Sequence, residues 1–109
     1  MPRHEFGIMP ETPKKHRNYH HYTPEKYNCI SVDDYYILKI LKDLNEIKFY
    51  WHTLDRPEWN IAYYGVTLIS PESAGKFLEK ISGIPELSDL ANLLWNAINE
   101  NKFVIHYGI

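Results

Sequence analysis

The sequence predicts an α+β domain built on a single four-stranded sheet with its helices on one face. Three observations predict it. Four stretches, at residues 27–32, 47–54, 61–69 and 103–107, either alternate apolar with polar residues or concentrate β-branched and aromatic ones. Between them, apolar residues recur at i, i+3, i+4 and i+7, the spacing of one helix face. The chain has 109 residues, 44% hydrophobic and 24% charged, the length and balance of one ordinary globular domain.

Residues 1–26 read as an extended, proline-rich N-terminal arm, and residues 27–109 as the sandwich domain. The arm holds Pro2, Pro10, Pro13 and Pro24, and four of the six histidines, His4, His16, His20 and His21. Prolines at this spacing interrupt helices and favour extended backbone. Phe6, Ile8, Met9, Tyr19 and Tyr22 are too apolar for a free tail, so the arm is expected to lie on the domain or on a neighbouring subunit.

The first strand, 27–32, leads into a helix capped by Asp33 or Asp34, because a short side-chain oxygen accepts the free N–H groups of a first turn. Ile37, Ile40, Leu41 and Leu44 form its apolar face. The aromatic-rich strand 47–54 follows. Residues 55–60 connect it to strand 61–69, with Pro57 barring a simple continuation. Ser70-Pro71-Glu72 is a strong helix start, combining a cap, a proline at the first helical position and an early acid. Ala74, Phe77, Leu78 and Ile81 line that helix, and Gly83 ends it. Pro85 opens a third helix striped by Leu87, Leu90, Ala91, Leu94 and Ile98. The last strand is 103–107. The order is β-α-β-β-α-α-β. With the last two helices counted as one broken crossover, this is the βαββαβ plan of a ferredoxin-like sandwich, with the second and third strands as a hairpin around residues 55–60.

Alternation divides each strand between two faces. The more apolar sets are expected against the helices: Ile30 and Val32; Ile47, Phe49 and Trp51; Ala62, Tyr64, Val66 and Leu68; Phe103, Ile105 and Tyr107. The free face then carries Tyr27, Cys29, Tyr50, His52, Tyr63, Thr67 and His106. Such a face is too apolar to stay wet. A second copy of the sheet or the arm is expected to cover it ahead of a ligand. The expected function is a non-enzymatic binding or protein-interaction module using Tyr50, His52, Tyr63 and His106, with Arg56 and Trp59 as a candidate binding loop. The alternative is a small enzyme in which His52 or His106 works with Tyr50 or Tyr63 in an acid–base step at a subunit interface. The partner is a homodimer mate or another protein, with a small molecule as the further option.

Charge and spacing weigh against other classes. Residues 1–26 carry five basic and three acidic side chains, net +2, leaving seven basic and eleven acidic, net -4, for the rest. A sheet domain of that sign repels phosphate backbones, and Tyr63-Tyr64-Gly65 does not match the RNA-recognition pattern, so nucleic acid is not expected. No metal or cofactor is called for: His16 and His20 have helical ligand spacing, but flanking prolines oppose a helix there. The lone Cys29 suits a reducing compartment. The first residues lack an apolar signal core, and no apolar run reaches the ~20 residues of a membrane span. The expected location is the cytoplasm.

Overall fold

The proline-free run after Pro2 alternates His4, Phe6 and Ile8 with Glu5, Gly7 and Met9, and it forms a strand. A computed structural model of the chain, describing residues 2–109, places that strand, β1 (Arg3–Ile8), inside a six-stranded sheet. The others are β2 (Ile30–Asp33), β3 (Lys48–Trp51), β4 (Pro57–Trp59), β5 (Val66–Ile69) and β6 (Val104–Tyr107). Their spatial order is β2-β1-β6-β5-β3-β4, and every neighbouring pair is antiparallel. The helices are α1 (Asp34–Ile40), α2 (Pro71–Ile81) and α3 (Ser88–Glu100).

The α+β class holds, but the four-stranded sheet and the ferredoxin-like plan do not. Two strands were not expected. β1 comes from the segment read as an arm and inserts between β2 and β6. β4 begins at Pro57 and pairs with β3 at the sheet edge, where a missing N–H is tolerated. The plan fails for a directional reason. α2 has 11 residues and α3 has 13, so each runs the length of the sheet. Two successive traverses return the chain to the end it left, and β6 therefore lies antiparallel beside β5 rather than entering as the parallel strand of a βαβ crossover.

Local signals set the helix starts. Asp33 accepts from the Tyr35 N–H at 2.9 Å, and Ser70 accepts from the Ser73 N–H at 3.1 Å with Pro71 at the first helical position. α1 tightens into a 3-10 segment, Leu41–Glu46. Ile37, Ile40, Leu44, Ala74, Phe77, Ile81, Leu90, Leu94 and Ala97 pack with Phe6, Val32, Phe49, Ile69 and Val104 into the main core between helices and sheet.

A second cluster occupies the opposite face. Met9, Tyr19 and Tyr27 pack there on Tyr50, Leu68, Ile105 and Tyr107. The chain thus covers its own free face with residues from 9 to 27. Gly7 makes the approach possible, since a Cβ there would lie 2.7 Å from the Tyr27 Cβ and 2.8 Å from Cys29 Sγ.

This second layer reverses two of the expected strand faces. Val104 and His106 point to the helix side, and Ile105 and Tyr107 to the other. β6 is buried on both faces, so alternation carries no phase. In β5, Thr67 and Ile69 face the helices and Val66 and Leu68 face away. The expected strand 61–69 is broken by a turn closed by Gly65 N–H donating to Ala62 O at 3.0 Å, and only Val66–Ile69 pairs as a strand.

Candidate functional site

Two turns lie at one end of the sheet, 52–56 after β3 and 62–65 before β5. In the first, His52 takes a left-handed conformation (φ 53); Asn60 (φ 77), beside Ile47 at the other end of β3, leads the chain back toward the second. Asn60 is tied down by its side-chain amide, which donates to Leu41 O at 2.8 Å and Asn45 Oδ1 at 2.6 Å. Its carbonyl accepts from the Trp51 indole at 3.0 Å. Between the turns lies an open groove of about 440 Å³. Trp51, Ile61, Ala62, Tyr63, Tyr64 and Val66 form most of its wall, with His52 and Arg56 beside them. The Arg56 guanidinium sits 5.1 Å from the Trp51 ring centroid and donates to Glu58 at 3.1 Å. Tyr64 is 80% exposed, and its ring meets that of Tyr63 edge-on at 4.8 Å.

Tyr63 connects this groove to a chain of buried polar groups. Its hydroxyl donates to Asp34 Oδ1 at 2.6 Å. The same oxygen lies 2.8 Å from His4 Nε2, His4 Nδ1 lies 2.9 Å from His106 Nε2, and His106 Nδ1 lies 3.0 Å from Thr67 Oγ1. Thr67 also accepts from the Ala62 N–H at 2.8 Å. His4, His106 and Thr67 are 0% exposed. Burial, then the charge of His4, pushes the His106 pKa well below its ordinary value. Burial alone would raise the Asp34 pKa, but hydrogen bonds from Tyr63 and His4, with the His4 charge, outweigh it and leave Asp34 below the usual carboxylate range. With Asp34 ionised, one set of donors satisfies every ring nitrogen: Thr67 O–H to His106 Nδ1, His106 Nε2–H to His4 Nδ1, His4 Nε2–H to Asp34. Hydrogen bonding to Asp34, then burial, raises the Tyr63 phenol to about 12, so Tyr63 stays a donor at neutral pH.

No known protein family, characterised protein or solved structure matches this chain.

The expected residues are divided by the structure. His52, Tyr63 and Arg56 line the groove together. Tyr50 lies on the other sheet face, packed among Leu68, Ile105 and Tyr107. His106 is buried on the helix side, because Thr67 and His4 supply the partners that make a core histidine tolerable. Trp59 is 65% exposed on the edge strand β4 and is not part of the groove wall. No single acid–base site therefore contains both histidines and both tyrosines. His52 Nδ1 is buried with no hydrogen-bond partner among the described residues.

His4, Asp34 and Thr67 were missed as site residues. A signal for His4 exists: it shares strand parity with Phe6 and Ile8, as His106 does with Val104. The two histidines at helical ligand spacing, His16 and His20, have separate partners. His16 bonds Asp55 at 2.9 Å, and His20 bonds Asn18 at 2.7 Å.

Proposed function

We propose that this chain is a protein-interaction module whose recognition surface is the groove of Trp51, Tyr63 and Tyr64. One observation carries the reading: a concave, mostly carbon-lined surface of about 440 Å³ is left open while every expected core element is already filled. Keeping apolar area in water costs about 25 cal/mol per Å², and contiguous exposed apolar area on a small protein marks contact surface. The polar chain behind Tyr63 fixes one wall, so the groove is formed before binding and little ordering is needed. The occupant is an aliphatic or aromatic side chain of a partner protein, entering between Trp51 and Tyr64, with His52 and Arg56 as a polar rim.

No helix among the described residues is long and apolar enough to cross a membrane. The cytoplasm, where an unpaired Cys29 stays reduced, is the proposed location. A peptide library displayed on phage, panned against the intact chain and against Tyr64→Glu, tests the reading. Enriched peptides should share an apolar anchor and bind the variant at least about tenfold more weakly. Light scattering of the same two proteins decides whether a second copy is the partner. Peptides that bind both proteins equally, or no enrichment from a strictly monomeric chain, would reject the groove.

A further inference from the structure

On the face opposite the helices, residues 17–27 do not close fully over β6. A pocket of about 210 Å³ remains, floored by Ile105 and by the buried rings of Tyr27 and Tyr107. Its rim carries two cations, Arg17 and Lys26, with the His21 ring beside them. The Arg17 guanidinium lies 5.4 Å from the Tyr19 ring centroid, and the Lys26 ammonium lies 5.5 Å from that of Tyr27. An aromatic face holds a cation without neutralising it.

Neither Arg17 nor Lys26 has a carboxylate at ion-pair distance among the described residues. The nearby acids are otherwise placed. Glu5 accepts from the Tyr22 hydroxyl. Burial, then the charges of Glu5 and Glu25, pushes the Cys29 thiol up. Glu11 lines an adjoining recess that Arg17 and Lys26 also reach.

Neutral donors complete the site. Thr23 Oγ1 and the Tyr107 hydroxyl lie 3.3 Å apart at the pocket. Burial raises the pKa of both Tyr27 and Tyr107, so their phenols remain protonated and able to donate. The covering segment is anchored: Tyr19 N–H donates to His52 O at 2.7 Å, the Tyr19 hydroxyl accepts from Lys14 N–H at 2.8 Å, and Cys29 N–H donates to Pro24 O at 3.2 Å.

We propose that this pocket binds a small anionic ligand, its phosphate or carboxylate between Arg17 and Lys26 and its planar ring on Tyr27, Tyr107 and Ile105. Charge-assisted hydrogen bonds to a guanidinium are the strong ones available at such a rim. The volume, 210 Å³, is roughly the space of seven waters at about 30 Å³ each, enough to seat a single-ring ester or acid. This site is independent of the groove and stands or falls apart from it.

Phenyl phosphate, benzoate, phenol and inorganic phosphate, each titrated into the full ¹⁵N-labelled chain, test the proposal through amide shifts. Phenyl phosphate or benzoate should give saturable shifts centred on residues 17–27 and 104–107, and whichever binds more tightly identifies the anionic group. Phenol and inorganic phosphate should each bind at least about tenfold more weakly than the better of the two, since each lacks half of the recognised chemistry. The double variant Arg17→Ala with Lys26→Ala should lose at least about tenfold in affinity while keeping its unfolding temperature, because both side chains are exposed. Should that variant fail to fold, Arg17→Gln alone gives the same reading. Saturable shifts for neither ring anion, equal affinity for phenol and phenyl phosphate, shifts centred elsewhere, or unchanged affinity in the charge-removed variants would overturn it.

Discussion

Replacing Asp34 by alanine removes the one anion in the buried polar chain. Asp34 Oδ1 accepts from His4 Nε2 and from the Tyr63 hydroxyl. His4 is fully buried, so water replaces its lost acceptor less readily than that of Tyr63. A hydrogen bond to a charged group contributes about 1.5–3 kcal/mol. Tyr63 is only half-buried and recovers part of its loss from solvent, which leaves about 3 kcal/mol for the two bonds together. At about 4–8 °C per kcal/mol for a domain of this size, thermal unfolding at pH 7 should fall by about 12 °C or more. Asp34 also opens α1, where an acid in the first turn contributes about 0.3–1 kcal/mol. Asp34→Asn separates the two effects: it loses the helix term but keeps an acceptor oxygen, and should lose clearly less. The pH dependence has a definite sign. The Asp34 pKa is depressed in the fold, so its contribution is complete above the unfolded value of about 3.9 and is lost as pH falls through the lower folded value. The gap between wild type and Asp34→Ala should therefore narrow toward acid. A drop of less than about 3 °C at pH 7, below ~1 kcal/mol, or a gap that stays constant as pH falls, would refute the reasoning.

Gly108→Ala should destabilise by at least about 2 kcal/mol, as overpacking against rigid backbone does. A Cβ there would overlap the Tyr63 carbonyl, with the Tyr63 carbon at 2.7 Å and Ala62 O at 2.9 Å; denaturant unfolding measures it, and a loss under ~0.5 kcal/mol would show that the 62–65 turn yields. Cys29, its thiol pushed up to about 12 by burial and then by Glu5 and Glu25, should react with a disulfide reagent at pH 8 at least about a hundredfold more slowly than a free cysteine. Labelling at the peptide rate would mean that the cover over Cys29 is open in solution.

What could be read from the sequence and what could not divide along one physical line, the range of the interaction. The starts of α1 and α2 were legible because Asp33 and Ser70 act on N–H groups two and three residues away. The β2 and β3 faces were legible because Ser31 separates Ile30 from Val32 and Lys48 separates Ile47 from Phe49. β1 was read as an arm because its prolines, Pro2 and Pro10, flank a strand rather than interrupt it. The phase of β6 was lost because that strand is covered twice, by helices and by residues of the 9–27 segment, and a doubly covered strand has no polar side. The polar chain was lost for the same reason at longer range: its histidines are 102 residues apart and its acid 30 residues from His4. Of the candidate residues, His52, Tyr63 and Arg56 were found on a shared groove even though the strand phase behind Tyr63 was misjudged, because turns at one end of a sheet bring their side chains together whichever face the strands present.

That chain is a costly way to fill a core this small. Aliphatic side chains of similar volume would bury more apolar area and leave no donor to be satisfied. What hydrogen bonds add is position at a point. His4 in β1, His106 in β6, Thr67 in β5 and Asp34 at the head of α1 can all be satisfied only in one mutual arrangement, and Tyr63 is held at its end, with its ring 5.2 Å from that of His4. Thr67 meanwhile fixes the Ala62 N–H, and the backbone of residues 108 and 109 fixes Gly65 O and Tyr63 O. Four elements distant in sequence thus converge on a turn of four residues, from Ala62 to Gly65, that has little packing of its own. A turn serving only to reverse the chain needs no such support. A turn whose Tyr63 and Tyr64 must stand open to solvent in a fixed pose does, since nothing else opposes their collapse onto neighbouring apolar surface.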